Sequence, residues 1–142
     1  MRLRLSLCAF AAAAVVVTAM PIQSGAADDH PYTVQNGRVD KGTYNGYRRY
    51  GDSCLRCHGP DGAGSSYAPD LTDSLKHLTK DQFVEIVING KQEVNTAADK
   101  VMPAFGTVED VVTYMDDIYG YLKARSDGLL DRGRPKRIGE DD

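Results

Sequence analysis

The sequence is poor in the residues that build metal clusters and disulfide frameworks, with only three cysteines and three histidines among 142 residues. A structural zinc site needs four ligands, and no second Cys or His pair is present to complement Cys54 and Cys57. Sustained alternation of apolar and polar residues is also missing, so nothing indicates a sheet. These absences disfavour a zinc domain and a disulfide scaffold, and they predict an all-α fold.

Long apolar runs are missing as well, apart from one stretch near the N-terminus. Residues 7–17 are mostly apolar, follow Arg2 and Arg4, and precede small residues at 24–26. This pattern is typical of a secretory signal peptide, because a membrane-spanning helix needs about 20 apolar residues. We predict a signal peptide over residues 1–26, export to the periplasm, and no stable membrane insertion after cleavage; an uncleaved anchor is the alternative.

Charge of one sign is in modest excess, since 20 acidic residues face 17 basic ones for a net charge of −3. Removing residues 1–26, which hold two arginines and no acidic residue, leaves 15 basic side chains against 20 acidic ones. An exported acidic chain is a poor nucleic-acid binder, although the basic residues at 132–137 resemble a minor-groove hook. We expect a solvated basic tail, with docking to an acidic surface of a partner protein as the alternative.

The clearest chemistry that the sequence does contain is C-L-R-C-H at residues 54–58. This spacing puts two thiols on one side of a helical turn, where they can bond to the vinyl groups of a haem whose iron the next His ligates. A redox-active dithiol would follow a strand in a βαβ unit, which the flanking residues 46–53 do not resemble. We predict one haem c, covalently attached through Cys54 and Cys57, with His58 as an iron ligand.

Met102 is the candidate for the second iron ligand. It lies outside any helical pattern, in a V-M-P-A-F-G segment that Pro103 and Gly106 stiffen, whereas Met115 falls on an apolar helical stripe. A thioether ligand raises the reduction potential and closes the iron, which suits electron transfer. His77 is the rival ligand.

Helical patterns occupy the middle of the chain, and they favour a single domain at residues 43–128 between an extended N-terminal arm at 27–42 and a flexible charged tail at 129–142. Thr43 is the predicted N-cap of a first helix over 44–55, and Thr79 opens a capping box for a later helix that closes at Asn89-Gly90. The remaining predictions are a short helix at 72–77, a polar connection at 91–100, and a last helix that starts after Thr107, stops near Asp127 and buries Val111, Met115, Ile118 and Leu122.

These residues together resemble the class I c-type cytochromes. The haem motif and the M-P-A-F run at 102–105 carry the resemblance, and two helix pairs support it, namely Gly46 with Tyr50 and Ile118 with Tyr121. The resemblance implies a small cytochrome c fold, with three to five helices wrapped around one haem. It also implies that Pro69 offers its carbonyl to His58, an outer-shell contact that fixes the imidazole.

Longer blocks resemble a narrower group, the methanol-metabolism-related cytochromes, which include cytochrome c-L-type partners of quinoprotein alcohol dehydrogenases. The blocks are residues 46–51, 58–69, 101–106 and 116–128. The resemblance implies a monomeric electron carrier, not an enzyme, that receives single electrons from a PQQ-dependent methanol or ethanol dehydrogenase and passes them to a downstream cytochrome or terminal oxidase. A haem sensor or peroxide-reacting enzyme with a displaceable Met102, and a permanent dehydrogenase subunit, are the alternatives.

Overall fold

A computed structural model describes residues 30–93 and 100–140, and the predicted signal peptide lies outside these residues. Helices make up most of the regular secondary structure of the described chain, which confirms the all-α prediction, and every strand has only two or three residues. The helices are α1 (Lys41–Ser53), α2 (Leu55–His58), α3 (Leu71–Ser74), α4 (Lys80–Asn89), α5 (Glu109–Thr113) and α6 (Met115–Ser126), and the strands are β1 (Val34–Gln35), β2 (Arg38–Val39), β3 (Lys91–Glu93), β4 (Lys100–Met102) and β5 (Lys136–Arg137).

The first and last long helices cross at a backbone contact. A Cβ atom on Gly46 of α1 would overlap the carbonyl oxygen of Asp117 in α6, so only glycine permits this approach. The rings of Tyr50 and Tyr121 pack beside the contact with centroids 5.6 Å apart. The two helix pairs that supported the resemblance therefore meet at one crossing, which anchors the end of α1 that carries the haem motif.

Helix α1 begins three residues earlier than the sequence predicted. Its N-cap is Asp40 rather than Thr43, because the Asp40 carboxylate accepts a hydrogen bond from the Thr43 backbone N–H at 3.0 Å and another from the Thr43 hydroxyl. Thr43 itself is buried. The short third helix is shifted in the same way, because Asp70 caps it and moves its start to Leu71.

The predicted last helix is two helices, since α5 ends at Thr113 and α6 begins at Met115. Tyr114 separates them, and the Arg49 guanidinium lies 4.4 Å from the centroid of its ring. The break does not disturb the apolar stripe predicted from the spacing, whose four members are all buried. The stripe consists of Val111, Met115, Ile118 and Leu122.

The arm and the tail meet in a small sheet of order β1-β2-β5. Strand β5 runs parallel to β2, and the Ile138 N–H donates to the Val39 carbonyl at 2.8 Å. The described part of the tail is therefore packed on the domain, which differs from the flexible tail predicted from its charge. Buried Leu130 and Pro135 explain the difference, because they give the charged segment an apolar anchor.

Helix α4 begins with the predicted capping box, in which Thr79 and Gln82 exchange hydrogen bonds. The polar connection predicted after it contains two short strands, with β3 antiparallel to β4. Residues 94–99 lie outside the described chain. Within the described segments, no helix combines the length and the apolar character that crossing a bilayer requires.

Candidate haem site

The C-x-x-C-H residues form one tight turn at the end of α1. The backbone N–H groups of Cys57 and His58 both donate to the Cys54 carbonyl, at 3.2 and 3.0 Å. Cys54 is half-buried and Cys57 is exposed. The turn therefore places two cysteine side chains next to an imidazole, the arrangement predicted from the spacing.

The pKa of the Cys54 thiol bears on the alternative interpretation of the motif as a redox-active dithiol. Burial raises the pKa of the Cys54 thiol to about 11, and the nearby Cys57 thiol adds to this rise. A thioredoxin-like nucleophile needs the opposite, a lowered pKa that yields a thiolate near neutral pH. The turn also follows a helix, not a strand. Both observations disfavour a redox-active dithiol.

His58 is held in a single orientation. Its side chain is buried, and Nδ1 lies 3.0 Å from the carbonyl oxygen of Pro69. Because that contact uses Nδ1, Nε2 is the ring nitrogen left for an iron ligand bond. The geometry thus brings together four of the five residues singled out in the sequence, namely Cys54, Cys57, His58 and Pro69.

A buried tyrosine braces the loop behind His58. The Tyr50 hydroxyl donates to the Gly59 carbonyl and accepts from the Gly62 N–H at 3.0 Å. Burial raises the pKa of Tyr50 to about 12, so the hydroxyl keeps its proton and its donor role at neutral pH. Sequence reasoning identified Tyr50 as a helix-packing residue and missed this second function, for which the sequence carries no separate signal.

Backbone contacts close the same loop. Gly59 has a φ of 72°, and a Cβ atom there would overlap the Gly64 carbonyl oxygen. The Gly64 N–H donates to the His58 carbonyl at 2.8 Å, and the Ser65 hydroxyl donates to the Cys57 carbonyl. The glycine-rich segment after the motif therefore folds back on Cys57 and His58, two of the residues predicted to hold the haem.

Met102 comes from a separate element, at the end of β4. It is half-buried and packs against the apolar core, as Cys54 does. Gly90, with a φ of 74°, approaches so closely that a Cβ atom there would lie 2.6 Å from the Met102 carbonyl oxygen and 2.8 Å from the Ala104 nitrogen. Gly90, predicted only as a helix C-cap, therefore also positions the Met102 segment.

The donors present fit haem c. Two thiols for covalent attachment, a buried imidazole with one free nitrogen, and a half-buried thioether are the groups that such a haem uses. In residues 30–93 and 100–140, no group of three His, Cys, Asp or Glu side chains is placed to hold a metal ion. His77, the rival ligand, is exposed just after α3.

Comparison with known proteins agrees with this chemistry. Residues 43–122 match the family model described as cytochrome c oxidase, cbb3-type, subunit III. The chain is 56% identical over 103 residues to cytochrome c-553I of Paracoccus denitrificans, and this match covers 72% of the chain and 46% of the relative. It is 43% identical over 96 residues to cytochrome c-555 of Methylococcus capsulatus, covering 67% of the chain and 72% of the relative.

A solved structure supports the fold directly. The crystal structure of the c-type cytochrome XoxG from Methylobacterium extorquens AM1 matches with a TM-score of 0.70 and 48% sequence identity. The match covers 78% of this chain and 67% of the XoxG chain. The chain therefore spans less than half of cytochrome c-553I and two thirds of XoxG.

Proposed function

Since the chain belongs to the class I c-type cytochromes, which transfer electrons through covalently bound haem c, we propose that it is a periplasmic carrier of single electrons. We propose a PQQ-dependent methanol or ethanol dehydrogenase as its donor and a downstream cytochrome or terminal oxidase as its acceptor. The observation that carries the proposal is the fixed His58 ring beside two thiols on one turn.

In this proposal each site residue has one task. Cys54 and Cys57 attach the haem, and His58 and Met102 ligate its iron from separate elements. Pro69 holds the His58 imidazole through its carbonyl. The haem, when bound, supplies a one-electron ferric–ferrous couple. An imidazole held in one orientation moves little when the iron changes oxidation state, which suits rapid electron exchange.

The exposed side of the haem motif is the proposed contact for redox partners. Leu55, Arg56 and Cys57 are all exposed, and Ala104 is exposed in the Met102 segment. Transient redox encounters use small interfaces, so a few exposed residues beside the thiols suffice. Charge reversal at Arg56 would then slow reduction by the donor, whereas an unchanged rate would remove Arg56 from the contact.

The choice of donor is supported by resemblance to the methanol-metabolism-related group and by similarity to XoxG. Stopped-flow mixing of the oxidised holoprotein with purified PQQ methanol and ethanol dehydrogenases, each with its alcohol, tests the choice. We expect one of them to reduce the haem much faster than the other. As a control, a small chemical reductant should reduce the haem, which shows that the haem is redox-active. If this control succeeds and neither dehydrogenase reduces the haem, the proposed donor is contradicted.

The sensor and peroxide-enzyme alternatives predict that Met102 leaves the iron readily. A carrier with a stable thioether ligand shows the thioether-to-ferric-iron absorption band in the far red and does not bind carbon monoxide rapidly when reduced. Rapid carbon monoxide binding by the reduced holoprotein would favour the alternatives. Gel filtration with the dehydrogenase separates an exchanging carrier from a permanent subunit, which would co-elute with the enzyme.

A further inference from the structure

A basic groove lies away from the haem motif and has no role in the function described above. It has a volume of about 470 Å³. Its walls come from two segments distant in sequence, the exposed face of α1 and the C-terminal segment around β5. The lining residues, which we call the basic groove, are Tyr44, Tyr47, Arg48, Arg134 and Arg137.

The C-terminal wall of the groove is fixed at both ends. At one end, the Asp61 carboxylate accepts from the Gly133 N–H at 3.0 Å and pairs with Arg132 at 3.3 Å. At the other end, β5 pairs with β2, and the Ile138 N–H donates to the Val39 carbonyl at 2.8 Å. The arginines between these two anchors are therefore held in place before any partner arrives, which lowers the entropy lost on binding.

Two of the arginines stack on one tyrosine. The guanidinium carbons of Arg134 and Arg137 lie 5.7 and 5.2 Å from the centroid of the Tyr44 ring, and Arg134 donates to the Tyr44 hydroxyl at 2.6 Å. Glu140 pairs with Arg137 at 3.6 Å and offsets part of this charge. Arg48, one helical turn after Tyr44, is exposed and extends the positive charge along α1 by about 6 Å.

This concentration of positive charge stands on a chain whose net charge is −3. We propose that the basic groove docks an acidic protein surface, with carboxylates of the partner pairing with Arg48, Arg134 and Arg137. Three guanidinium groups spread along the groove match a row of carboxylates better than one small anion. Tyrosine and arginine are also enriched at protein interfaces, and complementary charge speeds the encounter of redox partners.

The position of the groove lets docking and electron transfer use different surfaces. Tyr44 and Arg48 lie ten and six residues before Cys54, which places the groove about 9 to 15 Å from the haem motif along the axis of α1. A partner held at the groove would therefore leave the exposed Cys57 accessible. The proposal needs an acidic partner protein, and it does not depend on an alcohol dehydrogenase being the donor.

The test uses the holoprotein and an octaglutamate peptide, followed by amide and arginine side-chain NMR signals. We expect shifts centred on the groove residues, and binding that weakens as salt rises from roughly 20 to 200 mM. The substitution R48E should weaken binding about tenfold. K76E is the matched control, because Lys76 is exposed outside the groove and changes the net charge equally; it should change binding less than about twofold.

Three results would overturn the proposal. Equal weakening by R48E and K76E would mean that the peptide responds to overall charge and not to the groove. Shifts centred elsewhere would place the site on another surface. Binding to phosphatidylglycerol vesicles without binding to the peptide would assign the groove to a membrane.

R134E gives a second groove variant, and unchanged haem absorption checks its fold. A dehydrogenase that fails to reduce the wild-type protein would remove the proposed donor and leave this test intact.

Discussion

The two segments that carry the proposed iron ligands are held in different ways. His58 is buried, its ring bonds to Pro69, and its loop is braced by Tyr50, which sits in the helix crossing. Met102 is half-buried beside Val101, which is 65% exposed, and its backbone is held by pairing with β3 and by contact with Gly90. The imidazole is thus built into the core, whereas the thioether rests on a surface hairpin. Substitutions that disturb the His58 segment should lower the free energy of unfolding of the whole domain. Substitutions at Met102 should change only the properties of the iron, such as its reduction potential.

The substitution Gly46→Ala should have the largest effect. Its Cβ would overlap backbone atoms of Asp117, so the two helices must separate at their crossing. We expect the free energy of unfolding to fall by about 3 kcal/mol or more, as for other overpacked core sites. Urea unfolding of the holoprotein, followed by circular dichroism, measures this loss.

Gly51→Ala is the matched control for that measurement, because it makes the same chemical change in the same helix. A Cβ atom at Gly51 meets nothing within 4 Å. Alanine should therefore stabilise α1 by up to about 1 kcal/mol through its better helix propensity. Equal losses for the two variants would show that the crossing is not the source of the stability.

The next effect in size is expected from Tyr50→Phe, on the His58 side. Removing the hydroxyl leaves the Gly59 carbonyl and the Gly62 N–H without their partner, which should cost about 2 kcal/mol. Tyr121→Phe is the control, because the Tyr121 hydroxyl is buried with no hydrogen-bond partner in the described chain. Urea unfolding should show almost no loss for Tyr121→Phe; a loss as large as that of Tyr50→Phe would contradict the bracing role.

Local signals explain which parts of this molecule the sequence predicted correctly. The haem motif depends on five consecutive residues, and the start of α4 depends on a capping box only four residues long. The apolar stripe of the last helices follows from helical periodicity alone. Each of these features is determined by residues close together in the chain, so no knowledge of tertiary contacts was needed.

Non-local contacts explain what the sequence did not reveal. The C-terminal segment is highly charged and indicates a solvated tail, yet β5 pairs with β2 almost one hundred residues away and Leu130 is buried. The predicted start of α1 was wrong because Asp40 and Thr43 are both good N-cap residues. The burial of Thr43 decides between them. The second role of Gly90 depends on β4 returning beside it.

Substitution of Met102 should change the reduction potential of the iron rather than the free energy of unfolding. Met102→Leu keeps the side-chain volume and removes the sulfur, so the reduction potential should fall by on the order of 0.1 V, equivalent to about 2 kcal/mol for one electron. Met115→Leu makes the same change in the buried stripe and should leave the potential unaltered. Redox titration of both holoproteins measures the difference. An unchanged potential in Met102→Leu would exclude Met102 as a ligand.

The smallest effects concern the N-caps of α3 and α4, which differ in charge. Asp70 caps α3 directly after Pro69, on the His58 side, and Thr79 caps α4, the helix that leads to Gly90 on the Met102 side. On the His58 side, the Asp70 carboxylate accepts from the Thr72 hydroxyl at 2.6 Å and from the Thr72 N–H at 2.7 Å, and the hydroxyl bond is the main reason that the pKa of Asp70 lies below 3.8. On the Met102 side, the neutral Thr79 hydroxyl accepts from the Gln82 N–H at 3.2 Å. Asp70→Ala and Thr79→Ala should each cost about 1 kcal/mol at pH 7.

Acid should separate these two caps. A carboxyl whose pKa is lower in the folded chain than in the unfolded chain stabilises the fold above the unfolded value, and this contribution disappears as the pH falls through the folded value. The cost of Asp70→Ala should therefore shrink as the pH falls below 3.8, whereas the cost of Thr79→Ala should stay constant because a hydroxyl does not titrate there. Urea unfolding at several pH values between neutral and acid measures both costs. Parallel curves for the two variants would mean that the charge of Asp70 contributes nothing to holding the His58 side.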